Sequence, residues 1–339
     1  MKIGSMPTIG RRIMIATGIA AVVAAAVVFL IVHRSSASSF VEYRMRQPLD
    51  MPIAIAAAPD GTMWFTLDLA RAIGRVRAGQ LERLPTARDN VEPIGLGVAP
   101  DGSAWYTDTG ARGVSRMTPA GEIESFPLDT PIVRLGRLAV SPDGAVWFAE
   151  ATGYSITRMK DGKIARHVFE SPRGDPYGVA VAQDGTVWAT LKSGNELLQI
   201  PPQGEMNVFE VPHQAAMPSD VAIGRDGSVW FIESRENRIA RFKNGRFEEF
   251  NVAGPSPVLS GLAVTADGDL WFGLLRGGAL GRLRDGHIDT FKLPREGARP
   301  ASLAIDGDGN VWYADITGYV GNLPAREARH YLGRGGCDL

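Results

Sequence analysis

Apolar residues in this chain fall in short alternating runs separated by glycine, proline and aspartate, and the runs return in the same order with a fixed period. One repeat, Pro93 to Leu128, reads PIGLGVAPDGSAWYTDTGARGVSRMTPAGEIESFPL. It holds four strand-like runs: a small apolar one around Leu96 and Val98, a second from Ala104 to Thr107 that carries the tryptophan, a third reading VSRM, and a fourth reading EIESFPL, entered through Ala120-Gly121. Trp64, Trp105, Trp147, Trp188, Trp230, Trp271 and Trp312 are all the tryptophans present, and they recur every 41 or 42 residues. Four residues before each stands Asp60, Asp101, Asp143, Asp184, Asp226, Asp267 or Asp308, followed each time by glycine. Asp-Gly is a hairpin signal, because glycine accepts the positive φ that an antiparallel turn demands. Four strands at this period make a propeller blade. Helical repeats of similar length need 3.6-residue apolar spacing and few breakers, whereas 40 glycines and 22 prolines punctuate this chain at its turns. The pattern predicts an all-β protein, a seven-bladed β-propeller of four-stranded antiparallel blades over residues 40–332.

Ring closure has two candidates. Phe40 to Met45 (FVEYRM) reads as a fourth strand without a preceding three, and Arg326 to Leu332 (REARHYL) competes for the same outer edge. Either would remove an open sheet edge.

The N-terminus is patterned differently. Ile13 to Val32 is a run of twenty residues without charge, preceded by Lys2, Arg11 and Arg12. As a helix it spans a hydrocarbon core of about 30 Å, and the basic flank predicts a cytoplasmic N-terminus with an exported propeller. The run exceeds a secretory h-region of about 7–15 residues and Ser35 to Ser39 makes a poor cleavage site, which favours an uncleaved anchor over a signal peptide. The expected organisation is a basic cytoplasmic segment (1–12), a transmembrane signal anchor (13–32), a linker (33–39), the propeller (40–332) and a C-terminal tail (333–339). Cys337 is the only cysteine, so no internal disulfide forms.

Charge narrows the partners. Residues 1–34 hold four basic side chains and no acid, leaving 32 basic against 37 acidic residues, a net of about −5. Such a domain lacks the clustered positive footprint of a nucleic-acid binder. Candidate chemistry comes from aligning the repeats on their tryptophans. Eleven and ten residues before each Trp, where first strands begin at the channel mouth, most residues are small. Arg137, Tyr177 and Asp220 break that rule in successive blades and are the first ligand candidates; the plainer reading is that Arg137 and Asp220 neutralise each other or a loop carbonyl. Glu92, Arg134, Asp175 and Arg299 occupy the loops just upstream. Three residues after the Trp come Asp108, Glu150, Glu233 and Asp315, four carboxylates able to hold Mg2+ or Ca2+ through oxygen, or else to satisfy loop amides and arginines. Arg75, Arg116, Arg158, Arg241 and Arg282, eleven after the Trp, are the arginines at hand for such pairing.

The blade sentence in EPIGLGVAPDGSAWYTD, DPYGVAVAQDGTVW and MPSDVAIGRDGSVWFIESRENRIARFKNGRFEEF resembles the streptogramin B lyase (virginiamycin B lyase) family of seven-bladed propellers. The resemblance covers about Phe40 to Leu332. It implies elimination across the ester of a cyclic depsipeptide, with magnesium and histidines at the start of first strands in the last two blades. Those positions here are Ser260 and Ala301, neither of which exchanges a proton as an imidazole does, and the family's last-blade glutamate falls on Ile316, beside Asp315. His167 and His330 read as outer-strand residues, His287 as a turn residue, and His213 as a rim loop residue.

The expected function is a membrane-anchored extracytoplasmic propeller that binds a small molecule, glycan or protein at the channel-mouth face. The alternative is a metal-assisted lyase or lactone/ester hydrolase with Tyr177 or Asp220 handling the proton. A third reading is a scaffold among envelope proteins.

Overall fold

The computed structural model describes residues 39–330 except 69, 71, 87–92, 130–133, 170–173 and 255–257. The predicted anchor, the linker up to residue 38, the tail and Glu92 lie outside the described residues. Among the described residues no helix is long and apolar enough to cross a membrane.

Seven four-stranded antiparallel sheets make up the ring, six of them ordered from the channel outward as their strands run in sequence. Blades 1 to 6 span 51–85, 96–127, 135–168, 176–210, 218–251 and 259–292. Blade 7 takes its inner three strands from 300–323 and its outer one from Val41–Arg44, which pairs antiparallel with Tyr319–Leu323. The first strand of the chain therefore closes the ring. The other closure candidate is not a strand: Ala325–His330 is a short helix, α1. With the outer edge of blade 7 already paired, this segment has no ladder to join. It instead packs Ala328 into the cluster around Trp271 and accepts a 2.6 Å bond from Arg282 Nη1 at the Ala328 carbonyl. His330 accordingly lies in α1 rather than in an outer strand.

The sequence repeat explains the blade geometry. In the first Asp-Gly turn Gly61 has φ 82° and donates to the Ala58 carbonyl at 3.0 Å, while the Thr62 amide donates to Asp60 Oδ1 at 2.9 Å. Glycine at all seven such positions has positive φ, a conformation L side chains rarely adopt. Between blades the seams are apolar. Six tryptophans are no more than 8% exposed, and Phe65, Phe148, Phe231 and Phe272 are fully buried. Each such ring contributes roughly 1.5–3 kcal/mol by burial. Gly74 and Gly281 are required beneath two of them, since a Cβ would stand 2.0 Å from the Phe65 ring and 2.2 Å from that of Phe272.

The arginine column pairs inside the blades. Cross-strand register sets Arg75, Arg116, Arg158, Arg241 and Arg282 opposite the tryptophans, each guanidinium 5.2–5.9 Å from its ring centroid. They do not pair with the carboxylates three residues after Trp.

Candidate functional site

The channel mouth is built where first strands begin, and six of the seven first strands shift register there. The irregularities in blades 3, 4 and 5 fall between Leu135 and Leu138, Pro176 and Val179, and Pro218 and Val221, so they contain Arg137, Tyr177 and Asp220. A bulge bends its strand and re-aims a side chain. Threonines two residues after Trp satisfy first-strand amides at the same height, in shifted and regular blades alike: Thr66 accepts from the Ala54 amide, Thr107 from Gly95 and Thr190 from Gly178, at 2.8–3.1 Å. These threonines were legible as a partial column in the repeat, but the amides they meet were not.

Arg137 and Asp220 meet although 83 residues separate them. Nε donates to Oδ1 at 2.7 Å and Nη2 to Oδ2 at 3.0 Å. Arg137 Nη1 also donates to the Ile94 carbonyl at 2.9 Å, and Asp220 Oδ2 accepts from the Gly261 amide at 3.1 Å. The guanidinium lies 5.7 Å from the Tyr177 ring centroid, with Lys192 Nζ at 5.3 Å. One ion pair thus ties blades 2 to 6 at the mouth. Burial opposes the charge on Arg137, but the Asp220 carboxylate and Tyr177 outweigh it and hold the guanidinium above its ordinary value. For Tyr177 the nearby Arg137 favours the phenolate, yet burial and Asp220 prevail and raise its pKa. The plainer sequence reading describes this pair: the two charges neutralise each other and a loop carbonyl. Tyr177 is held toward its phenol form, and both Asp220 oxygens are occupied, by Arg137 and by the Gly261 amide.

Around this pair, Arg134 reaches Asp175 at 3.1 Å through an exposed contact, and Asp175 also accepts from the Ser193 amide and hydroxyl. Burial disfavours the Asp175 charge, but the Ser193 bonds and Arg134 together lower its pKa. The Arg299 side chain is exposed, and its amide donates to Asp315 Oδ2 at 3.0 Å. His213 is on the rim, 4.0 Å from Glu236. Ser260 donates to the Pro300 carbonyl, and Ala301 offers no functional group.

The four carboxylates three residues after Trp are buried and each is engaged locally. Asp108 accepts from the Ala111 amide at 2.8 Å and the Ser115 hydroxyl at 2.7 Å. Glu150 takes Thr157 Oγ1 and Arg166. Asp315 takes Arg295 at 2.7 Å and both the amide and hydroxyl of Thr317. Glu233 approaches Arg238 at 3.0 Å, but without hydrogen-bond alignment on either partner. Burial, reinforced by Glu249, therefore outweighs Arg238 and pushes the Glu233 carboxyl up to about 7. Among the described residues no three His, Cys, Asp or Glu side chains gather as a cation site. The expected ring of ligands for Mg2+ or Ca2+ is not assembled, because each carboxylate is drawn into its own blade by adjacent amides, hydroxyls or an arginine from an outer strand or loop.

Asp315 belongs to a closure network that sequence reasoning missed. Arg295 links it to Glu42 on the closing strand at 2.9 Å, and Tyr313 donates to Glu42 at 2.6 Å. No sequence signal joins residues 42 and 295. Two clefts, of about 700 and 320 Å3, lie on the other face, among the Asp-Gly turns of blades 2 and 3 and of blades 5 to 7.

Known proteins agree with this geometry. The profile described as virginiamycin B lyase family matches residues 29–199 and 188–328. Virginiamycin B lyase of Nocardia farcinica is 40% identical over 76 residues, 22% of this chain; the alignment spans about a quarter of that relative, 26%. A streptogramin B lyase structure superposes with TM-score 0.79 at 24% identity, over 84% of this chain and 96% of that one. A catalytically inactive histidine-to-alanine virginiamycin B lyase from Staphylococcus aureus with quinupristin gives 0.78 at 25% identity, over 84% and 98%. With the profile spanning most of the propeller and the same ring recurring in both solved structures, this chain belongs to the virginiamycin B lyase family.

Proposed function

We propose that this chain is a membrane-anchored, extracytoplasmic propeller that binds a small molecule, glycan or protein at the channel-mouth face and does not open streptogramins. The observation that carries this reading is the pair Ser260 and Ala301: the mouth lacks an imidazole at both positions where the family resemblance implies one, and the adjacent Arg137–Asp220 pair is internally neutralised. A site whose charged groups satisfy one another has little capacity to move a proton and retains contact surface instead. That surface comprises the Tyr177 ring, Lys192, and the exposed Arg134 and Arg299 at its rim. Export and anchoring are supported by the uncharged run from Ile13 to Val32 behind its basic flank. The metal-assisted lyase or hydrolase alternative requires Tyr177 or Asp220 to exchange a proton and the carboxylates to converge, and no described contact favours either.

The test is incubation of the full-length chain with quinupristin and magnesium, followed by mass spectrometry for the ring-opened product. The expected outcome is intact quinupristin. Ring-opened product above that of a Tyr177→Phe, Asp220→Asn variant would overturn the binding reading and restore the enzyme. Extraction of cells at alkaline pH, with the chain expected in the membrane pellet, checks the anchor.

A further inference from the structure

Seven copies of one blade provide an internal control, and the outer edge of blade 3 departs from the other six. The last residue of each outer strand stands opposite the first residue of the third strand. At that register the other blades carry Pro85, Pro127, Glu210, Asn251, Lys292 and Arg44. Proline and charged or polar side chains blunt an open sheet edge. Blade 3 has Val168 there, opposite Ser155 and 60% exposed. Its outer strand, Lys163–Val168, is entered through Asp161 and Gly162, at φ 49° and 72°. This two-residue turn makes Lys160 and Lys163 a hydrogen-bonded pair. Alternation then turns the N–H and C=O groups of Ile164, Arg166 and Val168 outward. The strand ends its sheet, so these groups have no ladder partner among the described residues. Ile164, on the same strand face as Val168, is 38% exposed, as is Tyr154, whose carbonyl accepts from the Phe169 amide at the Val168 end.

Charge sets the occupant. Each of the other six outer strands carries at least one Asp or Glu, whereas Lys163–Val168 carries none. The carboxylates that contact this hairpin are already paired, Asp129 and Glu150 with Arg166, and Asp143 with Arg158 and Lys160. Lys163 is exposed and has no carboxylate within ion-pair distance among the described residues. Pairing this strand with a second copy of itself would set Lys163 and Arg166 against cations, which destabilises a ladder. A segment that alternates apolar and acidic residues fits instead. As a fifth strand it would place its apolar side chains on the face of Ile164 and Val168 and its carboxylates on the opposite face, beside Lys163.

We propose that the outer edge of blade 3 docks an extended segment of a partner polypeptide in which apolar and acidic residues alternate, added to the sheet as a fifth strand. This edge is independent of the channel-mouth reading. Fluorescence anisotropy of a labelled Val-Glu-Val-Glu-Val-Glu-Val peptide, titrated with the full-length chain in detergent, tests it. Saturable binding is expected. Affinity should fall about tenfold or more when lysine replaces glutamate in the peptide, when the peptide nitrogens are methylated, and in the Val168→Pro and Lys163→Glu variants. Proline already stands at this edge register in blades 1 and 2, and the Val168 N–H points outward, so Val168→Pro removes no bond within the blade. Lys163 is exposed, so its variant carries the test if Val168→Pro melts early. No binding, equal binding of the lysine or methylated peptide, affinity unchanged in both variants, or loss in Tyr177→Ala instead would each overturn the proposal. So would self-association of the chain in sedimentation that Val168→Pro abolishes, which would give the edge to a second copy.

Discussion

Glu233 is a buried acid whose partner is badly aimed, and the consequence is measurable as a dependence of stability on pH. Its carboxyl, ordinarily at 4.5, titrates at about 7 in the folded chain because burial and Glu249 outweigh Arg238. A raised carboxyl binds its proton more tightly in the folded than in the unfolded state. Its contribution is therefore greatest below 4.5, falls as pH rises from about 4.5 to 7, and is gone above 7. Linkage between those two values gives a loss of roughly 2.5 kcal/mol from pH 5 to pH 8. Glu233→Gln removes the titration while nearly keeping the shape. The variant also loses the attraction between the charged carboxylate and Arg238, but that attraction is already contained in the folded value of about 7 and adds nothing further to the difference between the two pH values. Urea unfolding at pH 5 and pH 8, read by tryptophan fluorescence, should show the variant gaining about 2.5 kcal/mol on the wild type between the two conditions. Parallel curves for the two proteins would refute the reasoning, since they would mean that Glu233 is ionised across this range and that Arg238 compensates its burial after all.

Removing one member of the mouth pair leaves the other charge half-buried, so Arg137→Ala should cost about 3–5 kcal/mol, and the double variant with Asp220→Asn less than the sum of the two singles; denaturant cycles measure the coupling. Glu42→Ala unpins the closing strand from Arg295 and Tyr313 and should cost about 2–3 kcal/mol, with faster amide exchange confined to Val41–Arg44 and Tyr319–Leu323. Gly74→Ala drives a methyl into the Phe65 ring and should lower stability by about 1–3 kcal/mol, seen as an earlier thermal midpoint.

Much of this protein was written in its sequence because a repeat amplifies local rules. The Trp period, the Asp-Gly turns and the four short runs per unit specify seven blades, since each blade needs only nearest-neighbour pairing and a seam. The same alignment singled out Arg137, Tyr177 and Asp220, because a bulky or charged residue in a column of small ones stands out without any coordinates. What the columns lacked was partner choice. Arg137 and Asp220 stand two blades apart, and the strand bulges that turn them toward each other leave no mark in composition. Asp108, Glu150, Glu233 and Asp315 share a repeat position, yet sharing a position fixes only height along the channel; the Ser115 hydroxyl, Arg166, Arg238 and Arg295 decided where each carboxylate bonds. Closure likewise depended on competition for one edge. Phe40 to Met45 and Arg326 to Leu332 both read as strands, and the first won the ladder through Glu42, Arg295 and Tyr313 while Ala325–His330 coiled over Trp271. Local pattern sets what each segment can become, and the tertiary structure decides which of two capable segments, or which of several charges, obtains the single partner available.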